Sequence, residues 1–275
     1  MTVKEALKHS KEFLSKFTDE AENEAKLLVA HLIDEPISRL SFCDKSVDKT
    51  ALTDLLSKRA ENIPIQYIIG KWWFYKGEYF VGEGVLIPRQ DTETLVETAT
   101  ELLKGKTAPS VADLCAGSGC IGISIAQDYP EAKITSVEKY EKAFSYLERN
   151  IKHNAAENVT PVLADVCEEP FGSYDLIVSN PPYITAAAMK ELSNEVKKEP
   201  ETALYGGEDG LYFYNVIAEK WKTALKPNGV LAFEIGYDEA EAVRKILRKN
   251  GYSNITVKQD LCGHQRVVFG TANNI

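Results

Sequence analysis

A short apolar run that ends at two prolines constrains this chain more than any other stretch. Residues 174–178 read Tyr-Asp-Leu-Ile-Val, a largely apolar pattern typical of a buried parallel strand. The strand must end where Pro181 and Pro182 follow, because proline cannot donate to a sheet ladder or continue a helix. Asn180 precedes proline and is therefore held in extended geometry, and Tyr183 lies just past the bend. The sequence thus predicts a strand with a rigid turn at its carboxyl end.

From residue 89 onward, strand patterns and helix patterns alternate. Strands are predicted at residues 110–115, 133–138, 160–164, 174–178 and 229–235, and helices at 121–128, 141–154, 211–225 and 239–250. Such alternation predicts a parallel, doubly wound sheet with helices on both faces. The last two strands, at 254–259 and 266–270, are joined by a short loop and should pair antiparallel at one edge. The predicted fold class is α/β, a Rossmann-like, seven-stranded, mostly parallel sheet with an antiparallel edge.

The residues before the sheet carry helical periodicity. Thr2 and Glu5 have the spacing of a capping box. Helices are predicted at residues 3–17, 19–35 and 48–62. Residues 63–88 become aromatic and β-branched with interspersed glycines, which indicates a β-hairpin. We therefore expect a small helical domain at 1–62, a β-hairpin linker at 63–88 and the sheet domain at 89–275. The helical domain could dock a substrate or act as a stabilising lid.

Composition and charge limit the classes of partner. The chain has 275 residues and a formal net charge of -9, which disfavours a broad nucleic-acid surface because such surfaces need clustered Lys and Arg. No apolar run reaches the ~18 residues that span a membrane, and the first residues lack the apolar core of a signal peptide. The odd number of cysteines and the scattered histidines indicate neither a disulfide framework nor a metal site. We expect a cytoplasmic protein without a bound metal.

A glycine-rich turn follows the first strand of the predicted sheet. Residues 111–119 read Val-Ala-Asp-Leu-Cys-Ala-Gly-Ser-Gly and lead into a helix. Glycine there allows positive φ and lets a ligand approach the backbone. Gly117, Gly119 and Gly122 also fit the G-x-G-x-x-G pattern of dinucleotide-binding folds, so the turn indicates a nucleoside-bearing ligand without deciding which one. A tight strand-to-helix turn that binds nothing is the alternative.

Carboxylates lie at or near the ends of three strands around this turn. Glu138 ends the second strand, where a carboxylate can accept from both hydroxyls of a ribose. Asp165 follows the third strand and could accept from an adenine amino group, although an N-cap or turn role fits equally well. Asp113 either holds the glycine loop by its amides or faces the charged amino-acid end of a ligand.

The turn at Asn180 offers a binding site for a planar amino group. An Asn side chain has a carbonyl acceptor, the neighbouring prolines leave their carbonyls free, and Tyr183 can stack on a flat group. A dehydrogenase would also need a catalytic acid or base, and no His lies in a suggestive place. An S-adenosylmethionine site needs mainly in-line positioning and exclusion of water. We therefore favour a clamp for a nitrogen nucleophile over a plain Pro-Pro loop.

With these motifs the sequence resembles the HemK/PrmC family, the protein-(glutamine-N5) methyltransferases of peptide chain release factors. The matching motifs span nearly the whole chain: Leu86-Ile87-Pro88-Arg89, Asp91-Thr92-Glu93, Asp113-Leu114, Gly117-Ser118-Gly119, Ser179-Asn180-Pro181-Pro182-Tyr183-Ile184, Glu199-Pro200, Ala203-Leu204, Gly206-Gly207, Asp209-Gly210-Leu211, Phe233-Glu234-Ile235-Gly236, Asp260-Leu261 and Arg266-Val267-Val268. The Asn-Pro-Pro-Tyr tetrad alone is shared with other amino-nitrogen methyltransferases. The sequence departs from the family pattern at Cys115-Ala116, where Gly-Thr is usual, at Gln90, where Pro is frequent, and at Val166, where an aromatic can occur.

The resemblance implies a class I S-adenosylmethionine-dependent methyltransferase that modifies the side-chain amide of the glutamine in a release factor's Gly-Gly-Gln motif. It implies S-adenosyl-L-methionine as cofactor and a release factor as partner, with no direct nucleic acid and no membrane. Asn180, Pro181 and Tyr183 are the implied catalytic residues, and Pro182 joins them in holding the glutamine. The expected cofactor-binding residues are Asp113, Cys115, Ala116, Gly117, Ser118, Gly119, Glu138, Asp165, Val166 and Asn180. Alternatives are an amino-nitrogen methyltransferase acting on RNA or DNA, and a non-catalytic protein that docks a release factor.

Overall fold

The computed structural model describes residues 1–273 and divides into two compact units. The first unit contains residues 1–71 and 193–198, and the second contains residues 72–192 and those from 199 onward. The first unit thus includes a short segment from much later in the chain, which no sequence pattern indicated. Across residues 1–273, no helix combines the length and apolar composition that a membrane crossing requires.

Helices form the first unit where helices are predicted. They are α1 (Val3–Leu14), α2 (Ala21–Ile33) and α3 (Lys49–Ala60), followed by a short α4 (Ile65–Ile69). Thr2 Oγ1 accepts from the Glu5 amide at 3.2 Å, and Glu5 Oε2 accepts from the Thr2 amide at 2.8 Å. The predicted capping box is therefore confirmed. The first helix is shorter than predicted, because it ends at Leu14 and leaves Phe17 exposed.

A buried ion pair joins two helices of this unit. Arg59 of α3 donates through Nε to Glu24 Oε2 at 2.8 Å and through Nη2 to Glu24 Oε1 at 3.0 Å. Arg59 Nη2 also donates to Oε2 of Glu195, in the 193–198 segment, at 3.0 Å. Both Arg59 and Glu24 are buried. Bidentate pairing satisfies the two charges, but either charge left alone in this core would be strongly unfavourable.

We expect Arg59→Met to lower the free energy of unfolding of the helical unit by about 3–5 kcal/mol, because it leaves the Glu24 carboxylate buried without a partner. The double variant Glu24→Leu/Arg59→Met should recover most of that loss, since no charge then remains buried. Chemical denaturation followed by amide hydrogen exchange in α1, α2 and α3 measures the free energy of unfolding of both variants. A single variant as stable as the wild type would contradict this account of the ion pair.

The second unit is built on a seven-stranded sheet. A separate hairpin of β1 (Lys71–Phe74) and β2 (Gly77–Phe80) is followed by β3 (Ser110–Leu114), β4 (Lys133–Glu138), β5 (Val159–Leu163), β6 (Tyr174–Ser179), β7 (Leu225–Glu234), β8 (Tyr252–Gln259) and β9 (Gln265–Ala272). The sheet order is β5-β4-β3-β6-β7-β9-β8. Only β9 runs antiparallel to its neighbours, β7 and β8, whereas the other pairs are parallel. The predicted α/β fold class is therefore confirmed, including the antiparallel edge.

Helices alternate with the strands of the second unit, and some of their bounds differ from the prediction. They are α5 (Glu93–Leu102), α6 (Cys120–Asp128), α7 (Glu141–His153), α8 (Ala186–Glu191), α9 (Tyr212–Lys220) and α10 (Ala240–Lys249). The helix predicted at 211–225 ends as α-helix at Lys220 and continues as a 3-10 turn. The hairpin predicted across 63–88 occupies only residues 71–80, because α4 precedes it.

Strand β6 lies in the middle of the sheet and is buried on both faces. Leu176 and Val178 pack in the core with Leu95 of α5. Ile177 points into the opposite core, with Tyr214 of α9. Burial on both faces explains why this strand reads as a continuous apolar run rather than an alternating one.

Parallel pairing brings several strand ends to one edge of the sheet. Leu114 of β3 pairs with both Val137 of β4 and Ser179 of β6. Ser179 in turn pairs with Phe233 of β7. The residues that follow these positions therefore leave the sheet side by side at its carboxyl edge, where open α/β sheets bind their ligands.

Candidate active site

A cavity of about 210 Å³ opens at this carboxyl edge. The predicted site residues that line it are Cys115, Ala116, Gly117, Ser118, Glu138, Asp165, Val166, Asn180 and Pro182. The predicted residues that lie outside its lining are Asp113, Gly119, Pro181 and Tyr183. Ile121, Tyr212 and Phe213 add apolar surface that no sequence motif indicated. The structure thus brings the glycine loop and the Asn-Pro-Pro-Tyr turn to one cavity.

The glycine-rich loop has left-handed backbone at several positions. Gly117 has φ 55° and Gly119 has φ 81°, the region that glycine adopts freely. A Cβ on Gly119 would also lie 2.4 Å from Cδ1 of Leu147, but that side-chain end can shift, so the positive φ is the main reason for glycine at this position. Cys115 has φ 59° although it carries a side chain. The loop geometry is therefore kept at the position where the sequence departs from the family's glycine, at the cost of some backbone strain.

Asp113 lies beneath the glycine loop and is completely buried. Its Oδ2 accepts from the Gly122 amide at 3.0 Å and from Ser136 Oγ at 3.3 Å, which ties the first turn of α6 to β4. Its Oδ1 has no hydrogen-bond partner within the described chain. Burial raises the pKa of Asp113 from 3.8 to about 7.

We expect Asp113→Asn to destabilise the fold less at pH 8 than at pH 5. The folded state binds a proton on Asp113 that the unfolded chain has released, so the wild type loses stability as pH rises from about 4 to about 7. The asparagine side chain of the variant has no proton to lose, so the difference in unfolding free energy between the two proteins narrows at high pH. Denaturation at both pH values measures this difference.

Asp175→Asn serves as the matched control for that measurement. Burial alone would raise the pKa of Asp175, but hydrogen bonds from Lys226, the Ser110 amide and Lys106 lower it overall. Asp175 is therefore ionised at both pH values, and its substitution should cost the same at each. Equal pH dependence for the two variants would refute the raised pKa of Asp113.

Glu138 ends β4 on the cavity wall and is held by backbone amides. Its Oε2 accepts from the Gly117 amide at 2.8 Å, and its Oε1 accepts from the amides of Lys139 and Tyr140 at 2.8 and 2.9 Å. Burial raises the pKa of Glu138, while these hydrogen bonds oppose the rise. The carboxylate is thus fixed at a strand end on the cavity wall, and its remaining acceptor capacity is available to a ribose hydroxyl.

Asp165 and Val166 follow β5 on the same wall. Asp165 Oδ1 accepts from the Cys167 amide at 2.8 Å, and Oδ2 lies 2.8 Å from Lys139 Nζ. Burial alone would raise the pKa of Asp165, but the hydrogen bonds from Lys139 and Cys167 lower it overall. Asp165 thus makes the hydrogen bond of a turn residue, and because it also lines the cavity, its contact with an adenine stays a prediction. Val166 is buried, and its carbonyl accepts from Trp221 Nε1 at 2.9 Å.

Backbone from later in the chain packs tightly against the Asn-Pro-Pro-Tyr turn. The Ile184 amide donates to the Leu204 carbonyl at 2.8 Å, and the Gly206 amide donates to the Ile184 carbonyl at 2.9 Å. A Cβ on Gly206 would lie 2.5 Å from the Cα of Tyr183, and one on Gly210 would lie 2.4 Å from the Tyr183 carbonyl oxygen. These glycines are therefore required by close backbone approach, and the turn is fixed from outside the cavity.

The Asn180 side chain lies beside residues to which the sequence alone assigned no role. Asn180 Nδ2 donates to Thr92 Oγ1 at 3.4 Å. Glu234, the last residue of β7, is buried beside both side chains. Burial raises the pKa of Glu234 to about 7, although hydrogen bonds from Thr92 and Asn180 and the charge of Arg266 oppose the rise. A carboxylate at a strand end, the same signal that singled out Glu138, would have found Glu234.

The buried carboxylate of Glu199 holds residues 87–89, and Arg89 of this segment lines the cavity. Glu199 Oε2 accepts from the Ile87 amide at 3.0 Å, and its Oε1 accepts from Arg89. Arg89 and Pro200 both line the cavity.

Within residues 1–273, no group of three or more His, Cys, Asp or Glu side chains is arranged to hold a metal ion.

Comparison with protein families and known proteins assigns both parts of the chain. Residues 90–208 match the Methyltransferase small domain, and residues 5–70 match the PrmC N-terminal domain. A release factor glutamine methyltransferase of Thermodesulfovibrio yellowstonii is 36% identical over 96% of this chain and 97% of that protein. The protein of the same name from Clostridium acetobutylicum is 34% identical over the full length of both. That of Fusobacterium nucleatum is 40% identical over 82% of this chain, which spans 65% of that longer protein.

A solved structure with a related name also aligns with the chain. It is a release-factor-specific protein-(glutamine-N5) methyltransferase from Alicyclobacillus acidocaldarius, 29% identical, covering 71% of this chain and 100% of that one with a TM-score of 0.44. Because this score is below 0.5, the family assignment rests on the sequence relatives.

Proposed function

Because the chain belongs to the release factor glutamine methyltransferase family, we propose that it transfers a methyl group to the side-chain amide nitrogen of the glutamine in a release factor's Gly-Gly-Gln motif. One observation carries the proposal: Asn180, an amide held at a proline-locked turn, shares one cavity with the glycine loop and Glu138. A ligand held by the loop and an amide held by the turn would lie next to each other. A release factor substrate implies the cytoplasm as the place of reaction.

We propose S-adenosyl-L-methionine as the methyl donor, which when bound supplies a methyl group already activated by a sulfonium. The donor set fits its nucleoside half. Glu138 offers a fixed carboxylate for ribose hydroxyls, and Val166, Ile121 and Phe213 offer apolar surface for a base. The positive-φ loop at Gly117 allows close approach of a ligand to the backbone.

The turn residues act on the substrate amide. A carboxamide nitrogen is a poor nucleophile, because its lone pair is delocalised into the carbonyl. Asn180 Oδ1, on the cavity wall, accepts one N–H bond of the glutamine. The proposed clamp also has the Pro181 carbonyl accept the other N–H bond and Tyr183 pack on the amide plane, although both residues lie outside the cavity lining. These acceptors bind more strongly as positive charge develops on the nitrogen, so they stabilise the transition state more than the ground state. The methylated nitrogen is strongly acidic and loses its proton to water, so no general base is required.

The remaining surface suits a protein substrate. The formal net charge of -9 disfavours an RNA or DNA substrate. We propose that the helical unit, whose residues 5–70 match the PrmC N-terminal domain, contributes to docking the release factor. Phe42 of this unit is 88% exposed and offers apolar surface for such a contact.

Mass spectrometry of a release factor tests the reaction and the substrate together. An unmethylated release factor incubated with this protein and S-adenosyl-L-methionine should gain the mass of one methyl group, located on the glutamine of its Gly-Gly-Gln motif. A release factor with that glutamine replaced should gain none. Methyl transfer to RNA or DNA in parallel reactions, with none to the release factor, would overturn the proposal.

Asn180→Ala and Glu138→Ala should separate substrate clamping from cofactor binding. We expect Asn180→Ala to abolish detectable turnover while leaving the dissociation constant for S-adenosyl-L-methionine within a few-fold, because the substrate loses its amide acceptor whereas the cofactor keeps its contacts with the glycine loop and Glu138. Glu138→Ala should instead weaken cofactor binding by about ten- to a hundredfold, since hydrogen bonds to a charged acceptor are lost. Calorimetric titration and single-turnover rates measure the two effects. Near wild-type turnover by Asn180→Ala would refute the clamp.

A further inference from the structure

The carboxyl group of Glu234 is buried against the turn without a full set of partners. Glu234 is 2% exposed, and its Oε2 has no hydrogen-bond partner within residues 1–273. Ser179 pairs with Phe233, so Asn180 and Glu234 follow each other side by side at the end of their strands. The side chains of Thr92, itself buried, and Asn180 lie close enough to the Glu234 carboxyl group to lower its pKa. An under-satisfied buried carboxyl is costly to a fold and therefore calls for a role.

The neighbours of Asn180 decide which way its amide points. The oxygen and the NH2 of an Asn amide occupy nearly the same volume, so a 180° rotation exchanges them at little steric cost. An ionised carboxylate only accepts hydrogen bonds. With Glu234 ionised, the NH2 of Asn180 faces Glu234 and Thr92, and Oδ1 is directed away from them. Asn180 lines the cavity, so the cavity side receives an acceptor.

We propose that Glu234 is a positioning residue, which together with Thr92 fixes the Asn180 amide with its oxygen toward the substrate nitrogen. The inference rests on the proposed function and deepens it, because a glutamine NH2 needs an acceptor from Asn180. A rotated Asn180 would present its own NH2 to the substrate NH2 and bind it unproductively.

Several charged and titratable groups surround Glu234 and affect whether its carboxyl group is ionised. Arg266 Nη2 lies 3.0 Å from Asp91 Oδ2 and 3.3 Å from Asp260 Oδ2, and its Nη1 donates to the Ile235 carbonyl at 3.3 Å. Arg266 attracts the Glu234 charge, and Asp91 repels it. Tyr183, Tyr214 and Cys120 also face Glu234, and burial raises the pKa of all three, so they stay neutral near pH 7. Burial raises the pKa of Glu234 to about 7, so its carboxyl group changes charge near neutral pH.

Protonation of Glu234 would remove the preference of the Asn180 amide for one orientation. A protonated carboxyl group can donate to Asn180 Oδ1 or accept from its NH2, so both amide orientations become possible. With the pKa of Glu234 raised to about 7, kcat should rise between about pH 6 and pH 8 as the carboxylate forms.

Glu234→Gln tests the proposal, with Glu239→Gln as the matched control. We expect Glu234→Gln to lower kcat by about ten- to a hundredfold, to leave the cofactor dissociation constant unchanged, and to abolish the rise of kcat with pH. Glu239 is also a partly buried acid whose pKa is raised by burial, but it accepts from the Gly236 amide and the Tyr214 hydroxyl instead. Glu239→Gln should keep the wild-type kcat within about twofold and keep the rise with pH.

A second pair of variants probes the Thr92 contact without touching a charge. Thr92→Val preserves the shape of the side chain but removes the hydroxyl, and we expect kcat to fall about tenfold with no change in cofactor affinity. Thr92→Ser retains the hydroxyl and should restore most of that loss. Equal activity of the Val and Ser variants would overturn the part assigned to Thr92.

The side-chain amide of Asn180 gives a readout that does not require catalysis. Its NH2 resonances, assigned by their loss in Asn180→Ala, should shift with pH around a midpoint near 7 in the wild type and stay constant in Glu234→Gln. Resonances that do not titrate in the wild type, or wild-type kcat and pH profile in Glu234→Gln, overturn the inference. If no release factor is methylated, the proposed function fails, yet the titration still tests the contact between Glu234 and Asn180.

Discussion

The site depends on the way in which two prolines end the central strand. Strand β6 is paired on both sides up to Ser179, so the chain must leave the sheet at that point. Pro181 and Pro182 have no N–H groups to continue the ladder, and they turn the chain at the carboxyl edge. The Ser179 hydroxyl donates to the Leu114 carbonyl at 2.8 Å, which ties this exit to the start of the glycine loop. The two halves of the cavity are thereby positioned by one pair of strands.

The buried acids of the two units differ in whether a cation pairs with them. Glu24 in the helical unit is paired with Arg59 through two hydrogen bonds, so its charge is neutralised where it is buried. Asp113 and Glu234 in the sheet unit have no such cation in hydrogen-bond contact, each has one oxygen without a partner in the described chain, and burial raises the pKa of each to about 7. Perturbed, under-satisfied acids of this kind concentrate at functional sites. Asp113 and Glu234 both belong to the carboxyl edge that carries the cavity, whereas Glu24 stabilises the helical unit.

Backbone conformation and close backbone packing help to fix the loop and the turn at the carboxyl edge of the sheet. Cys115 keeps a left-handed conformation that glycine would adopt without strain. Gly206 and Gly210 pack where a Cβ would collide with the backbone at Tyr183. The surrounding packing therefore determines the loop and the turn. Such preorganisation suits a reaction that depends mainly on positioning and on exclusion of water.

The sequence by itself determined the elements and the strongest landmarks of the site. Strand and helix periodicities, the capping box at Thr2 and the proline stop after β6 are set by neighbouring residues, so local pattern was sufficient to predict them. Bounds were less accurate: β5 spans Val159–Leu163 rather than 160–164. Only the tertiary structure decided that Asp113 lies beneath the loop, that residues 193–198 join the helical unit, and that Thr92, Asn180 and Glu234 meet. Those meetings depend on strand order and on long-range burial, which bring together side chains that no local periodicity connects.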